Sequence, residues 1–163
     1  MNLAKQHHEA MVAKGFWDNP NLLERKMLII SELGEAIEAH RKGKICNISS
    51  SKKKEIGLSL INYSNPIDFL EYVKDTYEDE LADVVLRTWD YMGYIGQTEA
   101  PPIDVVLYEN IGENLYYITE HVVMGRFQAA LDILYSMSPN MDWHIKMKIA
   151  FNTTRPHKHG KSY

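Results

Sequence analysis

The chain has 163 residues, of which 45% are hydrophobic and 25% charged, the length and composition of one globular domain that needs no disulfide or structural metal. Its single cysteine, Cys46, excludes an internal disulfide and points to a reducing compartment. No apolar run approaches the ~20 residues of a membrane helix, and a net charge of −4 argues against broad nucleic-acid binding.

The N-terminal MNLAKQHHEA lacks the apolar stretch of a signal peptide, so a cytoplasmic single domain over residues 1–163 is expected. Helical periodicity dominates the chain and strand alternation is scarce. A first helix is predicted over 2–14, ended by Gly15. Asn21 followed by Glu24 has the spacing of a capping box, and a long helix follows from Leu22 to about Lys42, stopped by Gly43. Ile29, Leu33, Ala36 and Ile37 form its apolar stripe. Residues 44–65 break the pattern with Ser49-Ser50-Ser51, Lys52-Lys53-Lys54 and Gly57, and read as a loop or mobile insertion.

Helix resumes at Pro66 and reaches Tyr94, with room for a break, and Leu81, Val84, Val85, Thr88 and Met92 make its stripe. Beyond Pro101-Pro102 the spacing of Leu107, Ile111, Leu115, Ile118 and Val122 predicts a helix over about 103–124. Gly125 ends it, 126–137 form another, and Pro139 opens a last helix to about Thr153. Pro156 and Gly160 keep the tail 154–163 out of any helix. The fold class is all-α, most simply a helical bundle.

Charge is unevenly placed. From Glu71 to Asp90 seven acids face only Lys74 and Arg87, whereas no carboxylate side chain follows Asp142 and five Lys or Arg residues do. Glu32, Glu35 and Glu38 recur every third residue on the long helix, and Glu80 and Asp83 do so on the third. Side chains three apart share a helix face. Both sets border apolar stripes, so packing of the stripes brings four carboxylates to the edge of the core, where they must protonate or find a cation. Oxygen ligands of this kind select Mg²⁺, with Mn²⁺ as substitute. A di-iron bundle needs Glu-x-x-His, and no histidine here follows an acid at that spacing. A His-Asp dipeptide, a GxxxxGK[ST] loop and a GxSxG elbow are also missing from the sequence.

SELGEAIEAHRKGK (31–44), DELADVV (79–85) and FNTTRPHKHGKSY (151–163) together resemble the MazG-like, all-α nucleoside triphosphate pyrophosphohydrolases. The family signature, EExxE on one helix and ExxD on the next, stands here as Ser31-Glu32-Leu33-Gly34-Glu35 and Glu80-Leu81-Ala82-Asp83. The regions 45–75 and 99–140 carry no counterpart, and Ser31 replaces the first of the paired glutamates, which leaves the number of metal ions open.

The resemblance implies that Glu32, Glu35, Glu80 and Asp83 bind Mg²⁺ and that a nucleoside triphosphate yields its monophosphate and pyrophosphate, with self-association into a dimer or tetramer. Glu35 is then the first candidate to hold the attacking water, and Glu38, one turn on, the second. Lys148, Asn152 and Arg155 fall on one face of the last helix, and with Lys158 and Lys161 after them they are candidate phosphate ligands. Phe16 and Trp17, just before the acidic helix, either stack on a nucleobase or plug the end of the bundle. Two rival readings use the same residues: a nucleotide- or partner-binding protein that keeps the metal site without turnover, which Ser31 favours, and a structural module with solvated acids.

Overall fold

A computed structural model describes residues 3–155, apart from the side chain of Tyr63. Within them the chain is all-helical. The first helix, α1 (Leu3–Ala13), ends where Gly15 takes φ +75°, a left-handed conformation that costs glycine little. The Asn21 side chain caps the second, α2 (Leu22–Arg41), accepting from the amides of Leu23 and Glu24 at 3.1 and 3.3 Å. Gly43, with φ +68°, follows its end.

Two segments differ from the sequence reading. Residues 44–65 hold a helix, α3 (Ser50–Tyr63). The serine run that reads as a loop is its cap, Ser49 Oγ accepting from the Lys52 amide at 3.2 Å, and the lysines lie in its first turns, Lys52 donating to Asp68 at 3.2 Å and Lys53 lying over the Trp143 ring. Ile56 and Leu60 are fully buried on the other side. A Cβ on Gly57 would meet the Met147 side chain at 3.7 Å, so the glycine lies where α3 closes on its neighbour.

The second difference lies at 103–110, which is not helical. The sixth helix, α6 (Ile111–Val123), starts only after Asn110, which caps it. Leu107 therefore belongs to an extended segment, pinned by Asn114: its Oδ1 accepts from the Tyr108 amide and its Nδ2 donates to the Tyr108 carbonyl, both at 2.9 Å. An apolar residue at helical spacing is here a neighbour of the helix rather than a part of it.

Between these segments a short α4 (Ile67–Tyr72) and the long α5 (Tyr77–Tyr94) are separated by a turn in which Asp75 has φ +60°. Thr76 caps α5. The stripe Leu81, Val84, Val85, Thr88 and Met92 is buried throughout. The chain closes with α7 (Phe127–Met137) and α8 (Met141–Thr153).

The central pair is α2 against α5; α1, α7 and α8 pack on α5, and α6 packs on α2 and α7. Their shared core includes Ile29, Leu33, Leu81, Val85, Ile118, Leu131 and Ile145. A smaller core of Ile56, Leu60, Phe69, Val73, Met147 and Phe151 lies between α3, α4 and α8. The two cores meet on α8, and α5 is the element on which the acids are mounted. No helix among the described residues is long and apolar enough to cross a membrane.

Candidate metal and phosphate site

The packing of α2 on α5 places Glu32 opposite Glu80 and Asp83. One oxygen from each of the three lies within 4.8 Å of the others. Glu32 and Glu80 are buried and Asp83 is partly so. The fourth sequence candidate, Glu35, stands one turn further along α2 with an exposed side chain, outside this group. Its charge still reaches Glu32. Glu38, the second candidate for holding water, is not brought in: its carboxylate is held by Arg41 at 2.8 Å and Lys42 at 3.0 Å on the surface of α2.

Cations approach the cluster from two sides. Arg87, one turn after Asp83, donates Nε to Glu32 at 2.6 Å. Lys148 reaches across from α8 and places Nζ 2.6 Å from Asp79 and 2.7 Å from Asp83. Lys148 is buried, so the residue read as a phosphate ligand is here a bridge between two carboxylates. Asp79, completely buried, also accepts from the Asp75 amide at 3.1 Å, while its Oδ1 has no hydrogen-bond partner among the described residues.

Burial pushes the Asp79 carboxyl up to about 6 against the pull of Lys148. It pushes Glu80 up to about 8, aided by the charges of Asp83, Asp79 and Glu32 and opposed by Lys148. Glu32 is also raised, by burial first, with Arg87 opposing. Burial works against the Lys148 ammonium, but Asp83 and Asp79 outweigh it and hold it charged.

Four carboxylates, Glu32, Asp79, Glu80 and Asp83, thus share two cations, and Glu80 contacts no cation among the described residues. When all four are ionised the excess is two negative charges beside three convergent hard oxygen donors, and the proton that Glu80 holds below about 8 takes up one of them. That fits one divalent cation of the Mg²⁺ class.

Through Asp83 the cluster borders a cavity of about 140 Å³. Asp83, Arg87 and Asp90 line it from α5, at i, i+4 and i+7 on one helix face. Phe16, Trp17 and Arg25 line it from the α1–α2 connection and the start of α2, and Asn152 and Arg155 from the end of α8. The structure therefore brings the aromatic pair, the acid Asp83 and two of the predicted phosphate ligands to one space. Lys158 and Lys161 lie outside the described residues.

Trp17 is not a loose plug. Its Nε1 donates to Asp90 Oδ1 at 2.8 Å, and its ring stacks on Tyr94 with centroids 4.2 Å apart. His8 Nδ1 meets the same oxygen at 2.7 Å. Gly93 makes room for that histidine, since a Cβ there would lie 2.5 Å from its ring.

No family model, no curated protein and no solved structure matches this chain. The site is read from its own chemistry.

Sequence reasoning missed Asp79, Arg87, Asp90, His8 and Arg25. Arg87 and Asp90 had a signal, because they continue the face of Asp83 by one and two turns. Asp79 had none: it neighbours Glu80 in sequence and looks like one more surface acid. His8 pairs with a residue 82 positions away, a contact that no local pattern encodes.

Proposed function

We propose that this chain is a Mg²⁺-dependent nucleoside triphosphate pyrophosphohydrolase of the MazG-like type. The observation that carries the reading is the convergence of Glu32, Glu80 and Asp83, acids from two helices, beside a cavity that Arg155 and Asn152 share. A triphosphate and such a cluster repel each other. A divalent cation held by Glu32, Glu80 and Asp83, with Mn²⁺ as substitute, neutralises phosphate oxygens and acts as a Lewis acid.

The chain's own residues do the positioning. Arg155 presents a planar guanidinium suited to phosphate oxygens, and Asn152 stands one turn before it on the same wall. Glu35, exposed beside Glu32, is the proposed holder of the attacking water. That water's oxygen bonds to the α phosphorus, the bridge to the β phosphorus breaks, and pyrophosphate leaves. The choice of the α phosphorus rests on the resemblance of the two acidic motifs to the family. Self-association into a dimer or tetramer belongs to the same proposal.

A second reading has one observation in its favour. Arg87 and Lys148 already link Glu32, Asp79 and Asp83, so the cluster also works as an ion-paired clamp between α2, α5 and α8. Together with Ser31 this supports a protein that binds a nucleotide without turning it over. Phosphorus NMR of nucleoside triphosphates incubated with the protein and Mg²⁺ separates the two. Pyrophosphate and monophosphate as first products support the enzyme. Orthophosphate as first product overturns the assignment, and metal-dependent binding without any product leaves the second reading standing.

A further inference from the structure

The cavity carries more polar character than the metal cluster needs. Two buried polar atoms of residues that line it have no hydrogen-bond partner among the described residues, Arg25 Nε and Asn152 Oδ1. Buried polar atoms of this kind are rare in folded proteins and call for an explanation. Asp90 lines the same cavity; its Oδ1 is shared by His8 and Trp17, at 2.7 and 2.8 Å, while Oδ2 accepts from neither of them.

The position of Asp90 is as informative as its chemistry. It follows Asp83 by seven residues on the same helix, about 10 Å along the axis at 1.5 Å per residue. A ligand whose phosphates meet Asp83 and Arg155 therefore has room for a sugar before it meets Asp90. At that end the walls are aromatic, from Phe16, Trp17 and Tyr91, which suits the flat faces of a heterocycle.

We infer that Asp90 is the specificity-determining residue of this cavity, accepting the amino group of a cytosine, adenine or guanine base and disfavouring the oxo bases uracil and hypoxanthine. A carboxylate is an acceptor only, so an amine facing Oδ2 gains a charge-assisted hydrogen bond. The ring N–H of uracil or hypoxanthine lies beside carbonyl oxygens, which the same charge repels. Arg25, on the same wall, adds a positive charge beside Asp90. The inference rests on the pyrophosphohydrolase reading for the placement of the phosphates, but its content concerns the opposite end of the cavity.

The test uses non-hydrolysable α,β-methylene triphosphates of cytidine, uridine, guanosine and inosine, with Mn²⁺, titrated by calorimetry against the full chain and its Asp90→Asn variant. The substitution is isosteric. The amide oxygen it introduces still accepts from His8 and Trp17, while the amide nitrogen puts a donor where Oδ2 was. The wild-type protein is expected to prefer cytidine over uridine and guanosine over inosine by about 10–100-fold, the range of one hydrogen bond to a charged group. In Asp90→Asn the preference disappears or reverses. Equal wild-type affinity within each pair overturns the inference while the functional proposal stands, and needs no variant to fold. Unchanged ratios in a folded Asp90→Asn protein, judged by its near-ultraviolet circular dichroism, do the same. Binding of none of the four analogues overturns both readings.

Discussion

Two groups of acids stand on α5, one reaching the cavity through Asp83 and the other through Asp90, and the fold stabilises them in opposite ways. At the helix's start Asp79 and Asp83 meet Lys148, Glu32 opposite them meets Arg87, and Glu80 meets no cation among the described residues. Asp90, two turns on, meets the ring N–H of Trp17 and the ring of His8. The first group keeps a surplus of negative charge and a glutamate pushed up to about 8. The second is a single carboxylate with one oxygen fully used, its raised pKa reflecting burial, with the His8 and Trp17 bonds opposing it. Ion pairing across helices makes a place that responds to an added cation. Ring nitrogens fix an orientation. The difference assigns charge handling to one end and shape to the other.

The comparison breaks most severely at Lys148. Lys148→Met leaves Asp79 buried with its charge unpaired, and removal of one partner of a buried pair costs about 3–5 kcal/mol. Urea unfolding of this variant should show that loss. The double variant Lys148→Met, Asp79→Asn should recover part of it, because the fully buried charge is then gone and the carboxylate that has lost its partner, Asp83, is partly exposed. Recovery is the outcome that separates ion pairing from packing: were the lysine stem's contacts the main contribution, both proteins would be equally weakened.

Next in size is the pH response of Glu80. Its folded pKa is raised to about 8 from an ordinary carboxylate value near 4.3, so the folded state holds a proton that the unfolded chain has released. Stability from this group is present below the unfolded value and is lost as pH rises through about 8. Asp79, raised to about 6, adds in the same direction at lower pH. Melting temperatures should therefore fall from pH 5 to pH 9, and Glu80→Gln should flatten the upper part of that slope. Mg²⁺ should raise the melting temperature more at the alkaline end, where Glu80 is ionised, than at the acid end. A Mg²⁺ effect that is the same at both ends, or that survives Glu80→Gln, would remove Glu80 from the cation site.

At the other end of the cavity the expected effect is smaller. Trp17→Phe keeps a ring to stack on Tyr94 but removes the donor to Asp90, a hydrogen bond to a charged group worth about 1.5–3 kcal/mol before water compensates for the partly exposed site. A loss of about 1 kcal/mol in denaturant unfolding is expected, with no change in the pH slope attributed to Glu80. A change in that slope would mean that the two ends of the cavity are electrostatically one site.

How much of this was legible beforehand follows from the range of the interactions. The stripes on α2 and α5 were visible because periodicity records burial within one helix: Ile29, Leu33 and Ala36, and Leu81, Val84 and Val85, are all buried. The convergence of Glu32 with Glu80 and Asp83 followed from those stripes packing together. The segment 44–65 misled because a serine cap and a lysine-rich first turn have loop composition, while the four-residue spacing of Ile56 and Leu60 was too short a pattern to outweigh it. Leu107 misled in the other direction. Lys148 was placed on the correct helix, but its partners, Asp79 and Asp83, lie more than sixty positions away. Which of two plausible anions a cation meets is settled by tertiary packing alone.

The smallest effect is expected at Glu38, and it sharpens the comparison by defining where the acidic site stops. Glu32, Glu35 and Glu38 share a spacing, yet of the three only Glu32 is buried. Glu38 lies furthest along α2, where Arg41 and Lys42 on the same helix hold its side chain, 43% exposed. These cations, with the Lys42 hydrogen bond foremost, lower its pKa, the opposite direction from Glu32 and Glu80. An exposed carboxylate kept ionised by its own helix neighbours has no stored interaction to release to a substrate, and exposed pairs of this kind contribute little to stability. Glu38→Gln should therefore leave both the melting temperature and pyrophosphate release at wild-type levels. Glu35→Gln should keep the fold but lose most of the turnover, since Glu35 is the exposed acid whose charge still reaches Glu32. Equal losses in the two variants would show that the working site extends along α2 past the cavity, and would return Glu38 to the catalytic set.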